Sequence, residues 1–242
     1  MAGVSAPGGR VLGERGELPE GPEKAAAVEA MFDRIAPRYD RLNRVISLGR
    51  DRAWRRHTVA ALGLSPGSTV LDLACGTGDL CEDLRRAGHV AVGIDFSAGM
   101  LAAARTGAPL VRADALRLPV PDATVDGVVC GFALRNLVDL GAFLTECARV
   151  LRPGGRLGAL DAADPSGPLA RGVHTVWFRG AVPVVGRLLS ADPEAYRYLP
   201  RSTAYLPEPT RLVAMARDAG FAEVERRTFM LGSVQLLLGS RA

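Results

Sequence analysis

The chain is poor in the residues that would point toward nucleic acid, metal or an oxidising compartment. Aromatic residues make up 5% of its 242 residues, too few for the stacking platforms that hold single strands. Only three histidines are present, so no metal site is expected. Its four cysteines, Cys75, Cys81, Cys130 and Cys147, form no C-x-x-C pair and have apolar flanks. Such a pattern predicts reduced thiols in a cytoplasmic protein. No run of about eighteen apolar residues occurs, so no membrane span is expected. Residues 1–22 lack a continuous apolar core, so no secretory signal is expected either. Charge of one sign is also lacking. Thirty Lys+Arg stand against 26 Asp+Glu, a net +4, and the excess is scattered. The densest cluster is Arg50, Arg52, Arg55 and Arg56, which reads equally as a solvated helix face or as contact with an anionic surface. No nucleic-acid partner is expected.

What remains is an ordinary globular composition, 48% hydrophobic and 23% charged. Residues 1–22, rich in Gly and Pro, read as a disordered tail. Residues 23–242 read as a single domain. Its first part, 23–64, is a helical cap: helices over Glu23–Ile35, Arg38–Ser47 and Arg52–Leu62, broken by Pro37 and Gly49. From 65 to 161 compact apolar strands alternate with helices. Strands fall at 69–74, 90–95, 109–113, 125–131 and 156–160, and helices at 79–87, 97–105 and 140–151. Pro153-Gly154-Gly155 is read as the end of the last of these. Ser97 is an N-cap candidate. Residues 162–207 contain six prolines and break the alternation; helices over the sheet edge are expected there. A helix over Thr210–Ala219 follows, closed by Gly220. Strands at 221–229 and 233–238, joined through Leu231-Gly232, form an antiparallel hairpin. The fold class is therefore α/β: a doubly wound, mostly parallel seven-stranded sheet with a helical cap and a C-terminal hairpin.

The chemistry concentrates where the first strand turns into its helix, at Asp72-Leu73-Ala74-Cys75-Gly76-Thr77-Gly78-Asp79. Open α/β sheets bind ligands beyond the strand carboxyl ends. Gly76 and Gly78 permit close backbone approach, and the helix beginning near Asp79 offers free N–H groups. A dinucleotide fingerprint needs a third glycine where Cys81 stands. Free amides for a carboxylate, with Asp72 and Asp79 near for an ammonium, suit S-adenosylmethionine better than a pyrophosphate. Asp95, ending the second strand, can accept from both ribose hydroxyls; Phe96 follows it in the cofactor set. Met100 can lie along the adenine, and Asp114 with Ala115 can address the adenine amino group. Singly, each has a blander reading as turn, cap or core. In order, they make a nucleotide site.

Met31-Phe32-Asp33-Arg34-Ile35-Ala36-Pro37-Arg38-Tyr39-Asp40, with Leu42-Asn43, Ser47-Leu48-Gly49 and Trp54-Arg55-Arg56, resembles the N-terminal signature of the ubiquinone/menaquinone biosynthesis C-methyltransferases. Leu71–Leu80, Phe132–Leu137, Arg149–Arg156 and Ala195–Leu199 resemble further segments of that family, over roughly residues 28–240. The resemblance implies a class I methyltransferase that uses S-adenosylmethionine and methylates a ring carbon of a demethylated quinol. It implies cofactor contacts at Thr77, Asp95, Asp114, Ala115 and Gly131, the last usually Ser in the family. Two segments depart from it. Leu160-Asp161-Ala162-Ala163-Asp164-Pro165 replaces L-E-F-S-K-P, and 232–241 lacks the usual His.

Carbon methylation needs positioning and an electron-rich ring. Arg135 and Asn136, after the fourth strand, are the catalytic candidates: they can orient a phenolic oxygen or water, and Arg135 can stabilise a phenolate. A structural salt bridge is the alternative for Arg135. Tyr39, Tyr196 and Tyr205 are candidate ring contacts. His57, His89 and His174 suggest no base. Val173–Leu189, with Trp177 and Phe178, is a candidate trough for a prenyl tail, or ordinary core. The partner expectations are an aromatic quinol, transient contact with a membrane surface, and a second copy in a homodimer. Kept open are a methyltransferase for soluble polyketide or phenolic acceptors, a non-catalytic S-adenosylmethionine-binding protein and, last, a dehydrogenase.

Overall fold

The computed structural model describes residues 20–165, 167, 172, 195, 198 and 201–242. The expected tail up to residue 19, the trough at 173–189, His174, Tyr196 and most of the expected 162–207 helices lie outside the described residues.

Seven strands form one sheet in the order β3-β2-β1-β4-β5-β7-β6. They are β1 (Thr69–Leu73), β2 (Val90–Asp95), β3 (Leu110–Arg112), β4 (Val125–Gly131), β5 (Leu151–Ala162), β6 (Phe221–Phe229) and β7 (Val234–Arg241). The first five run parallel, and β7 lies antiparallel between β5 and β6. The doubly wound sheet and the terminal hairpin match the sequence expectation. The insertion of β7 beside β5 is new, and its burial explains it. All of Val234–Ser240 is buried, whereas β6 alternates and exposes Glu223 and Glu225. A charged edge strand with a bulge at Glu223, whose φ is +49, resists pairing with other chains.

Helices are α1 (Gly21–Ile35), α2 (Tyr39–Ile46), α3 (Asp51–Ala61), α4 (Asp79–Arg86), α5 (Ala98–Ala103), α6 (Leu140–Val150) and α7 (Pro209–Asp218), with a 3-10 turn at Ala36–Arg38. Pro37 sits in that turn and so separates α1 from α2. Ser97 caps α5 as expected, accepting from the Met100 amide. One boundary needs correction: α6 stops at Val150, and Pro153-Gly154-Gly155 lies within β5. Leu151 already pairs with Val125, and a register shift carries the strand through the turn to Arg156 opposite Gly127. The early pairing ends the helix before the proline can.

Alternation along the strands builds two cores. Leu71, Leu73 and Val128 pack with Phe143 and Leu144 of α6 and Leu212 of α7. Val70 and Val129 pack on the other face with Val59 of α3 and Leu80, Cys81 and Leu84 of α4. Each such side chain contributes roughly 1.5–3 kcal/mol by leaving water. A third cluster, Val28, Met31, Ile35 and Met100, seats the cap over α5.

Candidate active site

Strand order reverses between β1 and β4, and a cavity lies over the carboxyl ends of β1 to β4 on that side. Its floor holds Ala74 and Gly76 after β1, Asp95, Phe96 and Ser97 at β2, Ala113–Leu116 after β3, and Gly131–Ala133 at β4. Asn136, Leu137 and Val138 form one wall. Val28, Glu29 and Phe32 of α1, with Tyr39 of α2, form the roof. Seven of the expected site residues therefore come together: Gly76, Asp95, Phe96, Met100, Asp114, Ala115 and Gly131. Asn136 joins them.

The loop geometry follows from its glycines. Gly76 has φ +55, and a Cβ there would project toward the cavity, meeting only Tyr39 Cε1 at 4.0 Å. Its backbone is thus open to a ligand. Gly78, at φ +84, precedes α4, and a Cβ there would come within 2.5 Å of Thr106 Cγ2. That glycine is required by packing. Gly131 resembles it, since a Cβ would meet Leu80 Cδ1 at 2.7 Å. Leu80 occupies the space a serine would need.

Asp95 accepts from the Gly76 amide at 2.7 Å and from the Ser97 amide at 2.8 Å. Burial raises its pKa, and these backbone bonds oppose the rise. Its carboxylate both lines the cavity and fixes the loop. Asp114 accepts from the Leu116 amide at 2.9 Å.

Four expected residues lie outside the cavity lining: Asp72, Thr77, Gly78 and Arg135. Asp72 is buried beneath the loop, where Oδ2 accepts from the Cys81 amide at 3.1 Å. Its Oδ1 is buried without a partner among the described residues, and burial raises its pKa to about 7. Thr77 turns away and donates to Asp40 Oδ1 at 2.5 Å. Asp79 is bound to Arg55 at 2.7 Å, so the flanking acids are placed beneath the loop and against α3. Arg55 is itself buried and also pairs with Asp51 at 2.9 Å, which removes it from the surface arginine cluster.

Arg135 is buried, and its guanidinium pairs with Asp161 and with Ser202 Oγ at 3.1 Å. Asp161 also accepts from the Arg135 amide at 3.1 Å. Burial disfavours the charge, but Asp161 and the neighbouring Tyr39 and Tyr198 hold the pKa above the ordinary arginine value. Beside it, Tyr198 donates to Asn136 Oδ1 at 3.1 Å. Tyr39 faces the cavity from the other side, its pKa pushed up to about 12 by burial, partly opposed by Arg135 and Arg55. The ring of Tyr205 lies under Lys24 Nζ at 3.5 Å, outside the lining. His57 packs against Phe229.

Several residues that the sequence reading did not single out hold the cap in place. Asp33 accepts from Ser97 Oγ at 2.5 Å and from the Gly99 amide at 2.8 Å. Asp40 holds Thr77, and Glu29 pairs with Arg112 at 3.0 Å. Lys24 donates to the Leu137 carbonyl at 2.6 Å, and burial lowers its pKa to about 8. Asp33 and Asp40 both stand in the Met31–Asp40 signature, so the signal was present without its role.

The model of the ubiE/COQ5 methyltransferase family matches residues 21–241. The chain belongs to this family. It is 44% identical to the demethylmenaquinone methyltransferase of Mycolicibacterium paratuberculosis, covering 92% of this chain and 96% of that one. It is 40% identical to the protein of the same name from Roseiflexus, with the same coverage. Among solved structures, a S-adenosylmethionine-dependent methyltransferase from Aquifex aeolicus aligns with TM-score 0.59 at 18% identity, over 84% of this chain and 98% of that chain. Phosphoethanolamine N-methyltransferase 2 of Haemonchus contortus, solved with S-adenosylhomocysteine, aligns with TM-score 0.59 at 13% identity, over 78% and 52%. These two likenesses concern the fold. The family member described here is a methyltransferase that uses S-adenosylmethionine. The open backbone at Gly76, the two strand-tip carboxylates and the apolar wall of Phe96, Met100 and Leu116 fit such a nucleoside. Among the described residues no helix is long and apolar enough to cross a membrane.

Proposed function

We propose that the acceptor is a demethylmenaquinol-like quinol, methylated at a ring carbon. The observation that carries this reading is the 40–44% identity to demethylmenaquinone methyltransferases along nearly the whole chain, joined to a mostly apolar cavity that Asn136 lines. When bound, S-adenosylmethionine supplies a methyl group made electrophilic by its sulfonium. Asp95 takes the ribose hydroxyls, Asp114 and the Ala115 amide take the adenine edge, and Gly76 admits the backbone contact. Phe96, Met100 and Gly131 shape the walls. Asp72, Thr77 and Gly78 act one layer back, by holding the loop.

Asn136 touches the acceptor oxygen or a water beside it. Arg135 is a positioning residue: Asp161 fixes both its guanidinium and its amide, so the turn carrying Asn136 is rigid. Its buried charge also favours the phenolate form of the ring oxygen. The methyl would pass from the sulfonium to the ring carbon and leave S-adenosylhomocysteine; the phenolic proton goes to the water beside Asn136, and the ring oxygen regains a proton as the ring carbon loses its own, so that one proton is released per methyl transferred. A cytoplasmic location at the membrane face, and a homodimer, belong to the same reading.

Purified protein is incubated with labelled S-adenosylmethionine, demethylmenaquinol and a panel of soluble phenols. Label is expected in the quinol. Label appearing in the soluble phenols alone overturns the acceptor assignment. Arg135→Ala is expected to lower quinol methylation by about 100-fold or more; unchanged turnover removes its role.

A further inference from the structure

The stretch from Arg38 to Arg56 carries a charge asymmetry that neither the fold nor the cofactor site uses. Arg38, Arg41, Arg44, Arg50, Arg52 and Arg56 are all exposed. None of them forms an ion pair with another described residue. Both carboxylates of the same stretch are drawn inward: Asp40 holds Thr77, and Asp51 is buried against Arg55 and Ser47. The acids that pack nearest, Asp79 and Asp83 of α4, are also taken up by Arg55, with Arg86 on Asp83 as well. The exposed charged residues of this stretch are therefore all arginines.

The arginines share faces. From the 3-10 turn into α2, Arg38, Arg41 and Arg44 recur at steps of three and are exposed, while Leu42 is buried. On α3, Arg52 and Arg56 lie one turn apart and exposed. At the corner between them stands Leu48. It is 55% exposed, has φ +53, and joins none of the apolar clusters of the described residues. A leucine in the left-handed region is strained, and an exposed one gains nothing from burial. Both features disfavour Leu48 in water, and no apolar cluster of the described residues takes it in. The surface also adjoins the cavity, because Tyr39, between Arg38 and Asp40, lines its roof.

We propose that Leu48 and the six arginines around it dock the protein on an anionic phospholipid bilayer beside the roof of the cavity. Guanidinium groups pair with lipid phosphates in two-point fashion, and the leucine enters the interfacial layer. A polynucleotide is disfavoured: the aromatics of the stretch, Tyr39 and Trp54, lie in the cavity roof and the core, which leaves neither ring for base stacking. A second copy of the same face would meet like charge. Bringing the cavity close to the bilayer serves a lipid-borne acceptor, and that part rests on the quinol reading above.

The full chain is sedimented with vesicles of phosphatidylcholine alone and with vesicles containing phosphatidylglycerol. Binding is expected only to the anionic vesicles, and it is lost at about 1 M salt, where the screening length falls to roughly 3 Å. Each arginine near an anionic leaflet contributes roughly fivefold, so combined R41E, R44E and R52E should weaken binding at least tenfold. L48S alone should weaken it several-fold and leave the salt dependence intact. In both variants calorimetry with S-adenosylmethionine should match the unaltered chain, which shows that they are folded. Equal binding to neutral vesicles, undiminished binding of the charge-reversed variant, or tighter binding to duplex DNA than to anionic vesicles overturns the proposal. Vesicle binding is read without acceptor, so a chain that docks as expected yet methylates no quinol refutes the acceptor assignment and leaves the docking surface standing.

Discussion

The two sides of the cavity floor are held together differently. Over β1 to β3, the strand tips are organised by backbone amides on carboxylates: Gly76 and Ser97 on Asp95, Cys81 on Asp72, Gly99 on Asp33. Such bonds tie the chain to itself, and of these carboxylates Asp95 also lines the cavity. Over β4 and β5, one buried guanidinium does the organising, through Asp161 and Ser202. The first arrangement suits a ligand of fixed shape. The second places a buried ion pair directly behind the turn that carries Asn136.

The largest expected effect tests that contrast on the β5 side. Asp161→Ala leaves Arg135 buried without its counter-charge and should cost about 3–5 kcal/mol in chemical denaturation. Replacing both partners with apolar residues should recover much of that stability while quinol methylation stays low. Recovery of both together would show that the pair is only a brace.

Next comes Asp72, on the other side. Its pKa is about 7 in the folded chain against an ordinary value of 3.8. A raised carboxyl pKa means that the folded state holds the proton longer than the unfolded state. The stability tied to that proton is complete below the unfolded value and is lost as pH rises toward 7. Asp72→Asn should therefore gain stability relative to the unaltered chain between pH 4 and 7, on the order of 3 kcal/mol across that window. Parallel pH–stability curves would break the assignment of a strained, buried acid.

Asp95→Ala should weaken S-adenosylmethionine binding by roughly 10–100-fold in calorimetry, the loss of one charged hydrogen-bonding group of about 1.5–3 kcal/mol. A change under twofold would move the ribose contact elsewhere. The smallest effect is expected at Gly78→Ala, where a positive φ and the Thr106 contact should together cost about 1–2 kcal/mol in thermal unfolding. Adding Thr106→Ser should relieve the contact alone, and the residual loss measures the backbone conformation.

Most of the sheet was legible in the sequence, because β1, β2 and β4 are short apolar runs bounded by turns. The residues of the cavity floor were legible for the same reason: Gly76 and Asp114 follow strands and Asp95 ends one, and all three line the cavity. What spacing does not carry is direction. Thr77 and Asp79 sit one residue either side of Gly78, yet one faces α2 and the other α3, because the left-handed turn at Gly78 swings them apart. Arg135 looked like a residue facing the acceptor; its partner Asp161, 26 positions on, meets it only because β4 and β5 pair in register. The place of β7 between β5 and β6 was equally hidden, since a hairpin reads the same whichever arm lies inside.

That inner arm has a consequence for how the protein is made. β7 follows β6 along the chain, yet it pairs with the β5 edge and carries β6 on its far side. Until β7 emerges from the ribosome, β5 has no neighbour there, and a nascent chain holding the first five strands presents an open, apolar border. Deleting Val234–Arg241 would not trim the sheet from its margin; it would separate β6 from the rest, and so a stop codon at Val234 should be as damaging as one far upstream.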